Sequence, residues 1–156
     1  MIRERREQDL DALWAALSVD GEPAPPLTRA WLEGQADAET WVFDMAPVHV
    51  TPTRNVVAQV QIQAVGPSSA PMRELSRADV APAEALAIAR LVVAPRPHAH
   101  GFARHLLQHA ARRIEEQGRL PVVDPAENSY GGPEFFARYG FGDAGDGRMV
   151  RVRSEP

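Results

Sequence analysis

The sequence predicts an α/β fold, α+β by some definitions, built around a mixed sheet. Residues 85–93 form an apolar run without alternation, which is typical of a central strand covered on both faces beside a parallel neighbour. An amphipathic pattern over residues 102–117 predicts a helix, and Val122 and Val123 begin a further strand. A strand, a helix and a strand in this order form a crossover unit, whose ligand site lies at the carboxyl end of the first strand.

Two helices are predicted near the start of the chain. Residues 8–17 carry apolar side chains at helical spacing. Thr28 can cap a second, short helix that ends at about Gly34. We interpret Trp14 and Trp31, one on each helix, as core residues.

Period-two patterns predict the remaining strands. Residues 41–45 and 56–63 alternate in the way of strands covered on one face, and we expect them to pair as a hairpin. Pro133 follows two glycines and suits the first turn of a last helix through Tyr139. Residues 148–153 alternate again and predict a final strand.

The composition of the chain limits its classes of function. The 156 residues suit one domain, and the lack of cysteine excludes disulfides and a cysteine acyl-enzyme. The net charge of −4 argues against a general nucleic-acid binder and favours a cationic small substrate. The first residues are charged and no later apolar run approaches about 18 residues, so we expect a cytoplasmic protein with no membrane partner.

The turn between the central strand and its helix has the pattern of an anion-binding site. The first turn of a helix leaves about four backbone N–H groups without partners, and the helix dipole adds positive potential there. Gly101 and Ala103 leave room for a pyrophosphate because neither carries a large side chain. Four basic side chains around the turn can supply further donors: Arg96, His98, His100 and Arg104.

The same turn resembles the acyl-CoA signature of the GNAT acetyltransferase superfamily. That signature usually reads Gln/Arg-x-x-Gly-x-Gly/Ala, and His98, Gly101 and Ala103 stand at its positions. Residues 135–141, F-F-A-R-Y-G-F, resemble the family's late helix and its Gly-Phe ending. Asn128 lies near the place where the family often has an Asn after its fifth strand.

The resemblance extends more weakly over the whole chain, with residues 2–4 as a first strand. It implies a single GNAT-like domain over residues 1–156, with a mostly antiparallel sheet, helices on both faces and a central β-α-β unit that binds acyl-CoA. The implied activity is N-acetyl transfer from acetyl-CoA, as co-substrate and with no metal, to a primary amine by direct attack in a ternary complex. The implied acceptor is a small molecule or a peptide. The resemblance leaves open whether the chain forms a homodimer.

The resemblance also implies which residues hold acetyl-CoA. Backbone groups of the strand end bind the pantetheine arm, and the turn binds the pyrophosphate. The implied cofactor-binding residues are Leu91, Val92, Val93, His98, Ala99, His100, Gly101, Phe102, Ala103, Arg104, Asn128 and Phe136.

The catalytic candidates follow from what the reaction needs. Phe136 stands where many family members have a Tyr that protonates the leaving thiolate, so Tyr130 and Tyr139, the two tyrosines of the chain, are the candidate acids. Asp124, just beyond a strand end, is the first candidate for the base, although it equally suits a turn before a proline. Two further carboxylates near strand ends remain open: Glu84 and Asp44.

Two other classes of function remain open. The absence of a Tyr at position 136 is compatible with a protein that binds acyl-CoA as a sensor or structural part without turnover. A metal-binding module is the other alternative, because imidazole is a common ligand of zinc, nickel and copper and the chain has four histidines in this region: His98, His100, His105 and His109. No carboxylate lies within that run to orient their rings, which favours solvated histidines instead.

Overall fold

The computed structural model describes residues 1–17, 28–45, 56–65, 72–73, 79–80, 84–95, 99–145 and 147–151. The strands in these ranges are β1 (Ile2–Glu4), β2 (Glu39–Asp44), β3 (Val56–Ala64), β4 (Met72–Arg73), β5 (Asp79–Val80), β6 (Ala85–Val93), β7 (Leu120–Val123), β8 (Phe141–Gly145) and β9 (Arg148–Arg151). The helices are α1 (Asp9–Leu17), α2 (Arg29–Glu33), α3 (Ala99–Glu116) and α4 (Pro133–Arg138), with a 3-10 turn at Pro125–Glu127.

Seven strands form one sheet in the order β1-β2-β3-β6-β7-β9-β8. β6 and β7 pair in parallel and are joined through α3, whereas the other neighbours in this sheet are antiparallel. β4 and β5 form a separate two-stranded pair. The mixed, mostly antiparallel sheet and its central strand-helix-strand unit confirm the predicted fold class.

Helices cover both faces of the sheet. α3 packs on one face, where Leu106, Leu107 and Ile114 are fully buried in the main core with the aromatic side chains of α4. α1 and α2 cover part of the other face, over a smaller cluster in which Trp14 and Trp31 are half-buried. No helix within the described ranges is long and apolar enough to cross a bilayer.

Strand β3 is buried on both faces, which corrects the prediction that only one of its faces is covered. Gln59 and Gln61 are fully buried beneath α2. Their amide groups donate to the last carbonyls of that helix, Gln59 to Leu32 O at 2.9 Å and Gln61 to Glu33 O at 3.0 Å. The last carbonyls of a helix have no partners within the helix, and the amide groups of these two glutamines donate to them. Because glutamine is polar, the sequence pattern wrongly indicated that this face of β3 is exposed.

The short helix α2 begins and ends as predicted. Thr28 has extended backbone angles and its hydroxyl accepts a hydrogen bond from Trp31 N at 3.0 Å. Gly34 ends the helix at a φ of +69°, and a side chain at that position would collide with Gln61. Both the backbone angle and the close approach therefore require glycine here.

The start of α3 and the presence of β8 also differ from the sequence-based expectation. α3 begins at Ala99 rather than at residue 102, so Gly101 lies inside the first turn of the helix. β8 was not predicted, because the segment F-G-D-A-G is rich in glycine and resembles a loop. Phe141 nevertheless pairs with Arg151 of β9, and the last two residues of the predicted final strand lie outside the described ranges.

A buried ion network joins β1, α1 and β2. Arg3 donates to both carboxylate oxygens of Asp9, at 2.6 and 2.8 Å, and to Asp44 at 3.1 Å. Both carboxylates are fully buried. Burial alone would raise the pKa of Asp9, but hydrogen bonds from Arg3 and from the Arg6 backbone outweigh it and lower this pKa below its ordinary value.

Candidate functional site

The parallel pairing of the two central strands ends before β6 does. β6 and β7 pair in parallel only as far as Ile88 and Val123. β7 then ends, whereas β6 continues to Val93 along β3. We call the place where the parallel pairing ends the fork. It lies at the edge where a crossover unit is expected to bind its ligand.

The chain that follows β7 enters the fork and is hydrogen-bonded to β6. Asn128 accepts a hydrogen bond from Leu91 N at 2.8 Å and donates to Asp124 O at 2.9 Å. Leu91 O accepts from the backbone N–H groups of Ser129 and Tyr130, both at 3.0 Å. The predicted residues Leu91, Asn128, Asp124 and Tyr130 are thus brought together at the fork.

The three strand residues predicted to hold a pantetheine arm differ in what their backbone groups face. Leu91 is bonded to the loop after β7, as described above, and Val92 pairs with Gln59 of β3. Ala94 N donates to Val57 O at 2.8 Å, and hydrogen bonding alternates along an antiparallel ladder. The amide and carbonyl of Val93 therefore point away from β3, on the side of the fork.

The first turn of α3 lies at the end of this strand and has room for an anion. A Cβ atom at Gly101 would meet nothing within 4 Å, so the space in front of this residue is open. The first turn carries no acidic side chain. Arg104 is exposed, and its guanidinium is therefore accessible to a bound anion. Two of the predicted donors, Arg96 and His98, lie outside the described residues.

The next two residues of α3 contribute packing. Ala103 is fully buried against the sheet. Phe102 is half-buried and its ring lies 4.6 Å from that of Phe43 on β2. A small residue at 103 therefore allows a close approach of helix and sheet, and Ala99 at the start of the helix is half-buried against the same core.

A cleft of about 520 Å³ opens between the starts of α3 and α4. At its edge the Nε2 atom of His100 lies 2.9 Å from the hydroxyl of Tyr139. His100 and Tyr130 were predicted as site residues, whereas the others in its wall were not. The cleft is lined by His100, Tyr130, Gly131, Gly132, Pro133, Glu134, Phe135 and Arg138.

The residues that were missed belong to one short segment, and the sequence offered a signal for them. Gly131, Gly132 and Pro133 were interpreted only as the start of a helix, yet two glycines before a helix also leave its first turn open. Gly131 has a φ of +80°, and a side chain there would collide with the ring of Phe135. The close approach of this loop to α4 thus shapes the wall of the cleft.

Phe136, predicted to contact the cofactor, lies in the core. It is fully buried, with its ring 5.2 Å from Phe135 and 6.1 Å from Phe141. The surface that α4 presents to the cleft comes instead from Pro133, Glu134, Phe135 and Arg138. Tyr130 packs edge-on to Phe135 at 5.5 Å, which fixes the orientation of its ring.

Asp124 has the structural role that its place before a proline suggested. Its carboxylate accepts a hydrogen bond from Ala126 N at 2.9 Å and caps the 3-10 turn. The side chain is half-buried. Its role as a base stays a prediction.

The helical histidines lie against aromatic rings. His109 rests on Trp41 at 4.3 Å, and burial, with the nearby Arg113 and Arg112, lowers its pKa. His105 stacks at 6.5 Å from Phe43. Within the described ranges no group of three or more His, Cys, Asp or Glu residues is arranged to hold a metal ion.

One further residue of β6 was not predicted. Arg90 lies at a register shift between β3 and β6, and its φ is +54°. It directly precedes Leu91 at the fork. The apolar run A-L-A-I-A-R-L-V-V contains this single charge, which was the signal for it.

Comparisons with solved structures identify the fold. A GNAT-family acetyltransferase from Brucella melitensis, solved in complex with acetyl-CoA, aligns with a TM-score of 0.59 and 13% identity over 99% of this chain and 88% of its own. A putative phosphinothricin N-acetyltransferase aligns with a TM-score of 0.58 and 17% identity over 99% of each chain. An aminoglycoside 6'-acetyltransferase type Ii aligns with a TM-score of 0.56 and 13% identity over 100% of this chain and 99% of its own.

The sequence itself matches no family model and no curated protein. The agreement with the solved structures is therefore one of architecture, over almost the whole chain. It confirms the resemblance that the turn before α3 suggested, and the chain has the fold of the GNAT-family acetyltransferases.

Proposed function

We propose that the chain is a single-domain, acyl-CoA-dependent N-acyltransferase that transfers acetyl from acetyl-CoA to a primary amine. One observation carries the proposal: within a GNAT fold, Gly101 opens the first turn of α3 at the carboxyl end of a strand that runs beyond its pairing with its parallel neighbour. This geometry supports a ligand with an anionic group at the helix and a linear arm along the strand.

The residues present fit acetyl-CoA. The N–H groups of the first turn of α3, with Arg104 and His100 beside them, would hold the pyrophosphate. Val93 would hold the pantetheine arm by strand-like hydrogen bonds, because its amide and carbonyl point away from β3 at the fork. Acetyl-CoA would supply the activated acetyl group as a thioester.

The reaction needs a neutral amine and a path for its proton. The amine nitrogen forms the new bond to the carbonyl carbon, the carbon–sulfur bond breaks, and the amine proton leaves to a base. We propose Asp124, directly or through water, as that base. Its backbone carbonyl is bonded to Asn128 at the fork, and its carboxylate accepts one hydrogen bond from Ala126 N, which leaves further lone pairs for a proton.

The order of events can be tested by kinetics. The chain contains no cysteine, so we expect direct attack without an acyl-enzyme. Initial rates with acetyl-CoA and a panel of primary amines should give intersecting lines, and mass spectrometry after addition of acetyl-CoA alone should show unmodified protein. Parallel lines with an acylated protein would contradict this mechanism.

The proton donor to the leaving thiolate is the second mechanistic question. We propose Tyr130, because its backbone N–H is bonded to Leu91 O at the fork, whereas the hydroxyl of Tyr139 is paired with His100 at the start of α3. Tyr130→Phe should lower kcat by about 10²–10⁴-fold, and Tyr139→Phe should lower it far less. The reverse order would assign the acid to Tyr139, and two near-normal rates would assign it to water.

A non-catalytic acyl-CoA sensor is the second candidate. One contact favours it: the amide of Leu91, a donor at the fork that could polarise a thioester, is already bonded to Asn128 at 2.8 Å. A sensor binds CoA and shows no turnover with a broad amine panel, whereas the enzyme acetylates at least one member.

A further inference from the structure

Arg90 has a backbone conformation that a non-glycine residue rarely adopts. Its φ of +54° is the one positive value among non-glycine residues in the described part of the chain. Such a conformation is unfavourable for an L-residue because its Cβ atom approaches the following carbonyl oxygen. The register shift between β3 and β6 supplies the reason, because a bulge of this kind turns a side chain to a new direction.

The side chain of Arg90 lies under α2, on the face of the sheet opposite α3. Its Nη1 atom donates to Gln63 Oε1 at 2.9 Å and lies 3.5 Å from Gln61 Oε1. Its guanidinium carbon is 6.0 Å from the ring centre of Trp31. All of these partners are neutral.

The partners are also fixed in place. Gln61 donates through its amide nitrogen to Glu33 O and to Thr40 Oγ1, both at 3.0 Å, so its oxygen is left to face Arg90. Gln63 is buried beside it. The chain thus presents preset acceptors to one end of the guanidinium and leaves the rest of that group to something else.

The remaining edge of the guanidinium has no partner among the described residues. The Nε atom of Arg90 is buried and makes no hydrogen bond to them. None of the ion pairs among the described residues includes Arg90. Arg90 as a whole is half-buried, but a buried donor on a cation without a counterion is costly unless a bound group accepts from it.

The place of Arg90 in the fold indicates which molecule supplies the anion. It immediately precedes Leu91 at the fork, and its side chain lies on the α2 face, while the proposed acetyl-CoA groups lie on the α3 side. A ligand on the α2 face that reaches the fork is the acceptor. The free Nε edge of a guanidinium pairs with the two oxygens of a carboxylate.

We infer that Arg90 binds a carboxylate of the acceptor, so that the substrate is a small amine of amino-acid type rather than a cationic amine. This inference rests on the proposed acetyl transfer. It also explains why net charge is a poor guide here: the overall −4 of the chain favours cations, but Arg90 places a positive charge on the α2 side of the fork.

The test compares amino acids with their amides, which differ in the carboxylate alone. Glycine with glycinamide, L-alanine with L-alaninamide and L-phenylalanine with L-phenylalaninamide serve as pairs. Arg90→Gln should lower kcat/KM for the amino acids by about 10–100-fold relative to the amides. An amino acid and its amide differ in amine basicity, but this difference cancels when the acid-to-amide ratio of kcat/KM is compared between the wild-type protein and the variant. Arg112→Gln, which removes an exposed charge on α3, should leave the ratio unchanged.

Binding without turnover separates failure of the inference from failure of the proposed function. The same amino acids should raise the Tm of the wild-type protein, and should not raise that of Arg90→Gln, even if no acetylation is seen. An unchanged acid-to-amide ratio together with equal Tm shifts would overturn the inference while leaving acetyl transfer intact. If Arg90→Gln loses its far-UV circular dichroism, Arg90→Lys keeps the charge without the side-on edge and should show an intermediate loss of the ratio.

Discussion

Gly101→Glu is expected to abolish CoA binding while the protein remains folded. A side chain at this position enters open space, so it does not disturb packing. It does place a carboxylate where the pyrophosphate would lie, and like charges in contact cost several kcal/mol, or at least about 100-fold in Kd. In the wild-type protein, CoA at about 100 times its Kd should raise the Tm by roughly 5–10 °C, and this rise should vanish in the variant.

The same variant is expected to be more stable than the wild-type protein, although it does not bind CoA. Replacing a helical glycine raises the free energy of unfolding by up to about 1 kcal/mol, and the helix dipole favours an acidic residue in the first turn. Gln117→Glu, an exposed change just beyond the far end of α3, adds the same charge and should leave CoA binding intact. Normal CoA binding by Gly101→Glu would mean that the pyrophosphate is held elsewhere.

Arg3→Met is expected to have the largest effect on stability. It leaves the carboxylate of Asp9 fully buried without its two hydrogen bonds from the guanidinium. Removal of one partner of a buried ion pair costs about 3–5 kcal/mol. Urea denaturation of Arg29→Met, which breaks an exposed ion pair with Asp11, supplies the matched control, with an expected loss of at most about 1 kcal/mol. Equal losses of unfolding free energy in the two variants would contradict the conclusion that burial makes the Arg3–Asp9 pair more important for stability than the exposed pair.

The pH dependence of this difference has a defined sign. The pKa of Asp9 is lower in the folded protein than its ordinary value of about 3.9. The stabilisation is therefore fully present above that ordinary value and is lost as the pH falls through the folded value. We expect the gap in free energy of unfolding between wild type and Arg3→Met to narrow below about pH 4.

The sequence predicted those parts of the fold that depend on local pattern. Thr28 and Gly34 delimit a helix by their own chemistry, and the apolar run of β6, interrupted by Arg90 alone, indicates two covered faces. Strand β8 was missed because its pairing with β9, rather than its own residues, makes it a strand. Gln59 and Gln61 were misjudged because their partners are carbonyls of a helix some thirty positions away.

The residues of the candidate site likewise divide into those that local sequence could predict and those that depend on tertiary packing. Gly101 could be identified from its neighbours in sequence, since a helix start and a small residue are local features. Arg90 could not, because the direction of its side chain depends on a register shift between two strands. Arg138 and the glycines before α4 reach the cleft through the packing of α4, which no spacing along the chain reports.

The helical layer over β3 is attached by two kinds of bond, and they respond differently to acid. The start of α1 is held by a carboxylate that can take up a proton, whereas the end of α2 is held by amide groups of Gln59 and Gln61 that do not titrate. Acidification should therefore detach α1 first and leave α2 packed on the sheet. The helix α2, which covers Arg90, would remain folded after α1 had detached, so the two helices would unfold in stages rather than as one cooperative unit.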